Sequence, residues 1–123
     1  MRVFKTAWFS KAAERARIGD AELCIAIRQV MKGQADDLGG GVFKKRLNDN
    51  MHRSIIPAKG GCSWVYGYLF AKKDRANISA DELVAFRRLA DGYAGSTESQ
   101  LAVQLSHGDL TEICNGEQGK VQE

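Results

Sequence analysis

Val42-Phe-Lys-Lys-Arg-Leu47, Arg53-Ser-Ile-Ile-Pro-Ala-Lys59 and Cys62-Ser-Trp-Val-Tyr-Gly-Tyr-Leu-Phe-Ala-Lys-Lys73 are three successive segments in which β-branched and aromatic residues alternate with cations. Asn48-Asp-Asn-Met-His52 and Gly60-Gly61 between them carry turn residues, so the three predict an antiparallel meander. Successive strand side chains point to opposite faces, which puts Val42, Lys44 and Arg46 on one face and Phe43, Lys45 and Leu47 on the other. Arg53, Ile55, Pro57 and Lys59 share a face of the second segment. In the third, Trp64, Tyr66, Tyr68, Phe70 and Lys72 form an aromatic row that suits a core layer and a stacking platform equally. The smaller row, Val65, Gly67, Leu69 and Ala71, is expected to receive helices. Pro57 lacks a ladder donor and requires an edge position or a bulge.

The charge sits in the same block. Residues 40–78 hold eight cations (Lys44, Lys45, Arg46, Arg53, Lys59, Lys72, Lys73, Arg75) against Asp49 and Asp74, whereas residues 79–123 hold three cations against eight acids. The formal net charge of +3 therefore hides a polarised molecule. Cations and tyrosines interleaved on one sheet predict a surface for phosphate and bases, hence an RNA-binding surface.

Working outward, Arg2-Val-Phe-Lys-Thr-Ala-Trp-Phe9 predicts a first strand, with Ser10 capping a short helix to about Arg17 and Gly19 breaking it. Asp20 is the expected cap of a second helix whose apolar stripe is Leu23, Ile27, Val30 and Met31. The glycine run in Gln34-Ala-Asp-Asp-Leu-Gly-Gly-Gly41 follows a helix and opens a strand, the reverse of a phosphate loop, and is expected to be a flexible connection. Downstream, Ser79 with Glu82 is a capping box ahead of an apolar face at Leu83, Phe86, Leu89, Ala90 and Tyr93. Thr97 with Gln100 repeats the signature before Leu101 and Leu105. Asp109-Leu-Thr-Glu-Ile113 predicts a short edge strand.

The 123 residues, 44 % of them hydrophobic, suffice for one ordinary domain. We expect it to span residues 1–114, with 115–123 a polar, frayed tail. No apolar run approaches a membrane span or a signal peptide, so a cytoplasmic protein without membrane contact is expected. Cys24, Cys62 and Cys114 are odd in number and unpaired with histidine at any ligand spacing; reduced, buried thiols and no metal or other cofactor are expected.

The order strand, two helices, basic meander, C-terminal helices resembles the RelE/HigB group of bacterial toxins within the RelE/ParE superfamily. The resemblance runs from Met1-Arg-Val-Phe-Lys-Thr-Ala-Trp-Phe through Ala35-Asp-Asp-Leu-Gly-Gly-Gly and Val42-Phe-Lys-Lys-Arg to Tyr68-Leu-Phe-Ala-Lys-Lys-Asp-Arg-Ala-Asn-Ile. It implies an α+β fold: a small antiparallel sheet, made of the N-terminal strand plus the three-stranded meander, with an N-terminal helical hairpin and C-terminal helices.

It also implies a toxin held by a cognate antitoxin, and an activity of metal-independent mRNA cleavage on the ribosome. That chemistry needs a base, a proton donor and cations for the developing negative charge. Carried over residue by residue, Arg46, Arg53 and Lys72 are the expected phosphate contacts, and Lys44 and Tyr68 the proton-transfer pair with His52 the alternative. Lys45, Lys59, Lys73 and Arg75 complete the RNA-binding set. A ParE-like, non-enzymatic gyrase inhibitor and a catalytically silent RNA- or antitoxin-binding module are the alternatives.

Overall fold

The computed structural model describes residues 2–58 and 63–115. In chain order the elements are β1 (Arg2–Thr6), α1 (Ala7–Arg15), α2 (Asp20–Met31), β2 (Asp36–Gly39), β3 (Val42–Leu47), β4 (His52–Pro57), β5 (Ser63–Tyr66), β6 (Tyr68–Ala71), α3 (Ala80–Ala94), α4 (Glu98–Ser106) and β7 (Leu110–Ile113). The α+β class and the helical placement are as expected, and β7 is the predicted edge strand, antiparallel to β1.

The sheet departs from expectation in one respect. Instead of one antiparallel sheet there are two, ordered β5-β1-β7 and β2-β3-β4-β6, and β1 pairs parallel with β5. The third segment of the expected meander is broken at Gly67, where the chain leaves β1's sheet and joins β4. Gly67 N–H donates to the Ile55 carbonyl, and a Cβ at Gly67 would meet the Pro57 ring at 3.4 Å and Phe86 at 3.7 Å. A bare backbone suits this crossing.

The break inverts side-chain parity, so the aromatic row is divided between cores. Trp64 and Tyr66 join Leu69 in the largest cluster, beneath Phe9, Ala13, Leu23, Ile27 and Val30 of α1 and α2. Tyr68 and Phe70 instead face α3 with Val42, Ile55, Phe86 and Ala90, while Val65 packs with Phe4, Leu101 and Leu110 against α4. The expected small row is therefore not a common face. Helices cover both sides, α1 and α2 on one and α3 and α4 on the other. Tyr66 is wholly buried and its hydroxyl donates to the Leu23 carbonyl at 2.7 Å. Burial, and then the Glu22 charge, raise that phenol far above its ordinary pKa.

Pro57 closes β4 opposite Val42, where β6 no longer pairs, since the β4–β6 register ends at Ile55↔Tyr68. The missing donor thus falls beyond the ladder, as required.

Local chemistry moves several boundaries. Thr6, not Ser10, caps α1 by accepting from Phe9 N–H, so Trp8 and Phe9 are helical rather than strand residues. Gly19 precedes α2, freeing Asp20 to meet Lys5 at 2.7 Å. Both predicted capping boxes are present, at Ser79/Glu82 and Thr97/Gln100. Leu89 and Met31 lie exposed at the margins of their stripes.

The glycine run is a tight hairpin rather than a flexible connection, because β2 pairs antiparallel with β3. Gly40 has φ +64°, and a Cβ there would lie 2.7 Å from the Arg87 stem. Arg87 crosses from α3 to donate to the Leu38 and Gly39 carbonyls at 2.7 and 3.2 Å, clamping the hairpin.

The cysteine expectation is corrected at two positions. Cys24 of α2 and Cys114 just beyond β7 form a disulfide with Cα atoms 5.3 Å apart. Ile113 and Cys114 pack into the cluster holding Leu23 and Cys24, a proximity created by folding across 90 residues and invisible to sequence spacing. Cys62, Lys59 and the expected tail beyond Asn115 lie outside the described residues.

Candidate nucleic-acid interface

Strand register organises the basic residues into two rows on the α3 side of the larger sheet. One row runs Asp36, Lys44, Ile55, Tyr68; the next runs Arg46, Arg53, Phe70. Val42, Ile55, Tyr68 and Phe70 share the cluster under α3, so the alternation of β3 and β4 puts Lys44, Arg46 and Arg53 on that same side. The structure thus brings together Lys44, Arg46, Arg53 and Tyr68 of the expected catalytic set. Lys72 is exposed in the turn after β6, tied through its backbone to the Met51 carbonyl.

Arg46 and Arg53 are direct partners across β3 and β4. Like charges directly opposite destabilise a ladder. Arg53 donates to the Asn50 and His52 carbonyls, and among the described residues neither arginine meets a carboxylate. Neighbouring cations differ: Lys44 lies 3.7 Å from Asp36, and Arg75 holds Glu82 in a two-pronged contact at 2.6 and 3.1 Å. An uncompensated arginine pair on a rigid two-strand ribbon can grip an anion with the geometry of phosphate.

Arg75 connects the rows to α3. Besides Glu82, it donates to the Tyr68 hydroxyl at 3.3 Å and sits 5.6 Å from the centre of the Phe70 ring. The Arg75 hydrogen bonds, then those from Ser79, hold the Glu82 carboxyl down to about 2. Tyr68 also touches Trp8, Phe70 and Phe86, with ring centres 4.9, 5.9 and 6.0 Å away.

Lys45 points to the α1/α2 side, donating to the Gln34 carbonyl at 2.9 Å. Burial and then the Arg46 charge lower its ammonium below the ordinary lysine value. His52 is half-buried on that side too, its Nδ1 3.1 Å from Asn48 Nδ2. Asn48, Asp49 and Asn50 form the β3–β4 turn with φ of 55, 51 and 69°, a conformation that Asn and Asp tolerate well. Lys73 lines a groove along β6 with Trp8, Arg15, His52 and Arg75.

Sequence reading missed Trp8, Glu82 and Arg87 as elements of this surface. The Ser79/Glu82 box was legible, but the second duty of Glu82 toward Arg75 was not. Among the described residues no group of three or more His, Cys, Asp or Glu is placed to hold a metal ion, and no helix is long and apolar enough to cross a membrane.

A family model described as "RelE toxin of RelE / RelB toxin-antitoxin system" matches residues 1–113. No curated protein and no solved structure matches the chain.

Proposed function

The chain belongs to the RelE toxin family, whose members are paired with a cognate antitoxin, and on that footing we propose that it is a metal-independent endoribonuclease that cuts mRNA on the ribosome and so inhibits translation. The observation that carries this reading is the Arg46–Arg53 pair, held side by side on adjacent strands with no carboxylate on either among the described residues. A pair that weakens its own ladder suits a task that supplies the missing negative charge.

In the proposed reaction a ribose 2′-hydroxyl attacks its own 3′-phosphate. The new bond joins O2′ to phosphorus, the P–O5′ bond breaks, and the products are a 2′,3′-cyclic phosphate and a 5′-hydroxyl. One proton leaves O2′ and another reaches O5′, while the phosphorane between them carries extra negative charge. Arg46 and Arg53, with Lys72, meet that charge as it develops. Tyr68 gives the proton to O5′: its oxygen accepts from Arg75, which leaves the phenolic proton to be donated. Lys44, once its ammonium has left Asp36 and given up a proton to water, takes the other as a neutral amine. Ile55 separates the two in their row, so their Cα atoms stand about 10 Å apart, two strand spacings, which long side chains bridge from opposite sides of one phosphate.

Lys59 and Lys73 serve this reading as flanking RNA contacts, whereas Arg75 braces Tyr68 and Lys45 faces the α1/α2 side, away from the rows. Residues 1–114 act as one domain, and work on the ribosome implies a cytoplasmic location. The antitoxin is proposed to lay an acidic segment over the positive rows.

Primer extension on an actively translated mRNA tests the proposal. Cuts at codon-spaced positions that vanish in Arg46→Ala and Lys72→Ala support it. No cuts from a folded, RNA-free preparation would overturn it in favour of a non-enzymatic toxin.

A further inference from the structure

The groove beside β6 shares Tyr68 with the proposed cleavage site and extends past it to Trp8, Arg15 and Lys73, which the cleavage chemistry does not use. β6 ends its sheet, in the order β2-β3-β4-β6, and α1 runs along it. Trp8, at the start of α1, is 52 % exposed although it is one of the largest apolar side chains in the molecule. Its ring is held against Tyr68, with centres 4.9 Å apart and planes tilted by 32°, and Tyr68 is held in turn by Phe70 and Phe86. The indole therefore stands on a braced aromatic stack with much of its surface open to solvent. Ala12 and Ala16, one and two turns along α1, keep the adjoining wall low.

The rim is charged on one side of the balance: Arg15, Lys73 and Arg75 line the groove against Asp74 alone, with His52 between them. Arg75 is already engaged by Glu82, which leaves Arg15 and Lys73 as the cations available to a ligand. Phe70, on the groove floor, is the cross-strand partner of Arg53, itself opposite Arg46. The groove thus continues the arginine row around the free edge of the sheet.

We infer that this groove is a nucleobase subsite for single-stranded RNA, in which a base next to the gripped phosphate stacks on Trp8 while Arg15 and Lys73 hold the phosphates that follow. A flat, rigid aromatic surface with flanking cations recognises a base and its backbone without regard to sequence. An apolar protein side chain would leave the cations unmatched, and an acidic peptide would leave the indole unstacked. The inference rests on the nuclease reading and adds a subsite to it.

The test is equilibrium binding of a 2′-O-methyl octauridylate, which cannot be cleaved, and of the same octamer carrying abasic sugars. Binding is read by quenching of Trp8 emission in a Trp64→Phe background and by anisotropy of a labelled octamer. Trp8→Ala is expected to weaken octauridylate binding about five- to a hundredfold, the range for loss of one base stack, with the salt dependence unchanged because no phosphate contact is lost. Trp8→Phe should keep most of the affinity, and the abasic octamer should bind the parent and the Trp8→Ala variant alike. Lys73→Ala should instead reduce the salt slope by about 0.7.

Equal octauridylate affinity of the parent and Trp8→Ala proteins would overturn the subsite. If Arg46→Ala still abolished cleavage on the ribosome in that case, the nuclease reading would stand alone. An absence of both binding and cleavage in the parent would overturn the two together. Quenching by an acidic peptide but not by the octamer would assign the groove to a protein partner and overturn the inference.

Discussion

The cations of the smaller sheet and the arginine pair of the larger one are treated in opposite ways. In the smaller one, β1 offers Arg2 and Lys5, and each is matched: Arg2 grips Glu112 at 3.0 Å and Glu98 at 2.8 Å, and Lys5 meets Asp20 at 2.7 Å. Val3 and Phe4 between them are buried in separate cores on the two faces. In the larger sheet, Arg46 and Arg53 are set against each other, and neither meets a carboxylate among the described residues. Matched charges at a strand edge serve the fold, while an unmatched pair costs the fold something and points to a partner outside it. The family assignment supplies an antitoxin, and the reaction proposed above would make RNA the partner of this pair.

The largest expected effect concerns the smaller sheet's edge. The Cys24–Cys114 bond closes a separation of 90 residues and ties β7 to α2. On loop entropy alone its loss costs about 4–5 kcal/mol. Cys24→Ser, or reductant added to the parent, should lower stability to denaturant by a similar amount, and intact-mass measurement after alkylation should find one disulfide before reduction. An unchanged midpoint would show that β1–β7 pairing holds this edge by itself.

Arg46→Glu probes the other sheet and should act in two directions. Cleavage should fall by about 10²–10³, the usual loss for one group that stabilises transition-state charge. Folding stability should stay level or rise by as much as about 1 kcal/mol, since a repulsive cross-strand pair becomes an attractive one. Arg2→Ala is the mirror experiment: activity kept, and stability lowered by about 0.5–1 kcal/mol for a partly exposed bridge. Were both substitutions to destabilise equally, the contrast between the sheets would be lost.

The contrast was only half legible in the sequence. Alternation of Val42-Phe-Lys-Lys-Arg-Leu47 and the turn at Asn48-Asp-Asn50 revealed β3, β4 and the face shared by Lys44 and Arg46, because hairpin pairing is local. The capping boxes at Ser79 and Thr97 were equally local and equally readable. The parallel β1–β5 pairing joins segments some sixty residues apart and leaves no local trace. Gly67 reads as one small residue in an alternating run, yet it inverts the parity and sends Tyr66 and Tyr68 to different cores. The neighbours of Trp8 favour strand, yet the cap at Thr6 makes it a helical residue beside the groove.

Arg75 falls between the two kinds of cation, and its behaviour with pH is the smallest and most discriminating effect. It lies next to the unmatched pair but is itself matched by Glu82. Because the folded Glu82 carboxyl sits near 2, below its ordinary value of 4.5, the clamp contributes stability above about pH 4.5 and loses it as the pH falls toward 2. Carbon-detected titration of Glu82 should show that low midpoint, moving back toward the ordinary range in Arg75→Ala with fraying at the Ser79 cap. Adding the non-cleavable octamer then decides what Arg75 is for. If the Glu82 midpoint stays low, Arg75 is a strap that holds α3 over Tyr68, and the RNA depends on Arg46, Arg53 and the lysines. A rise on binding would mean that Arg75 has left Glu82 for a phosphate, so that RNA loosens the α3 N-terminus as it docks.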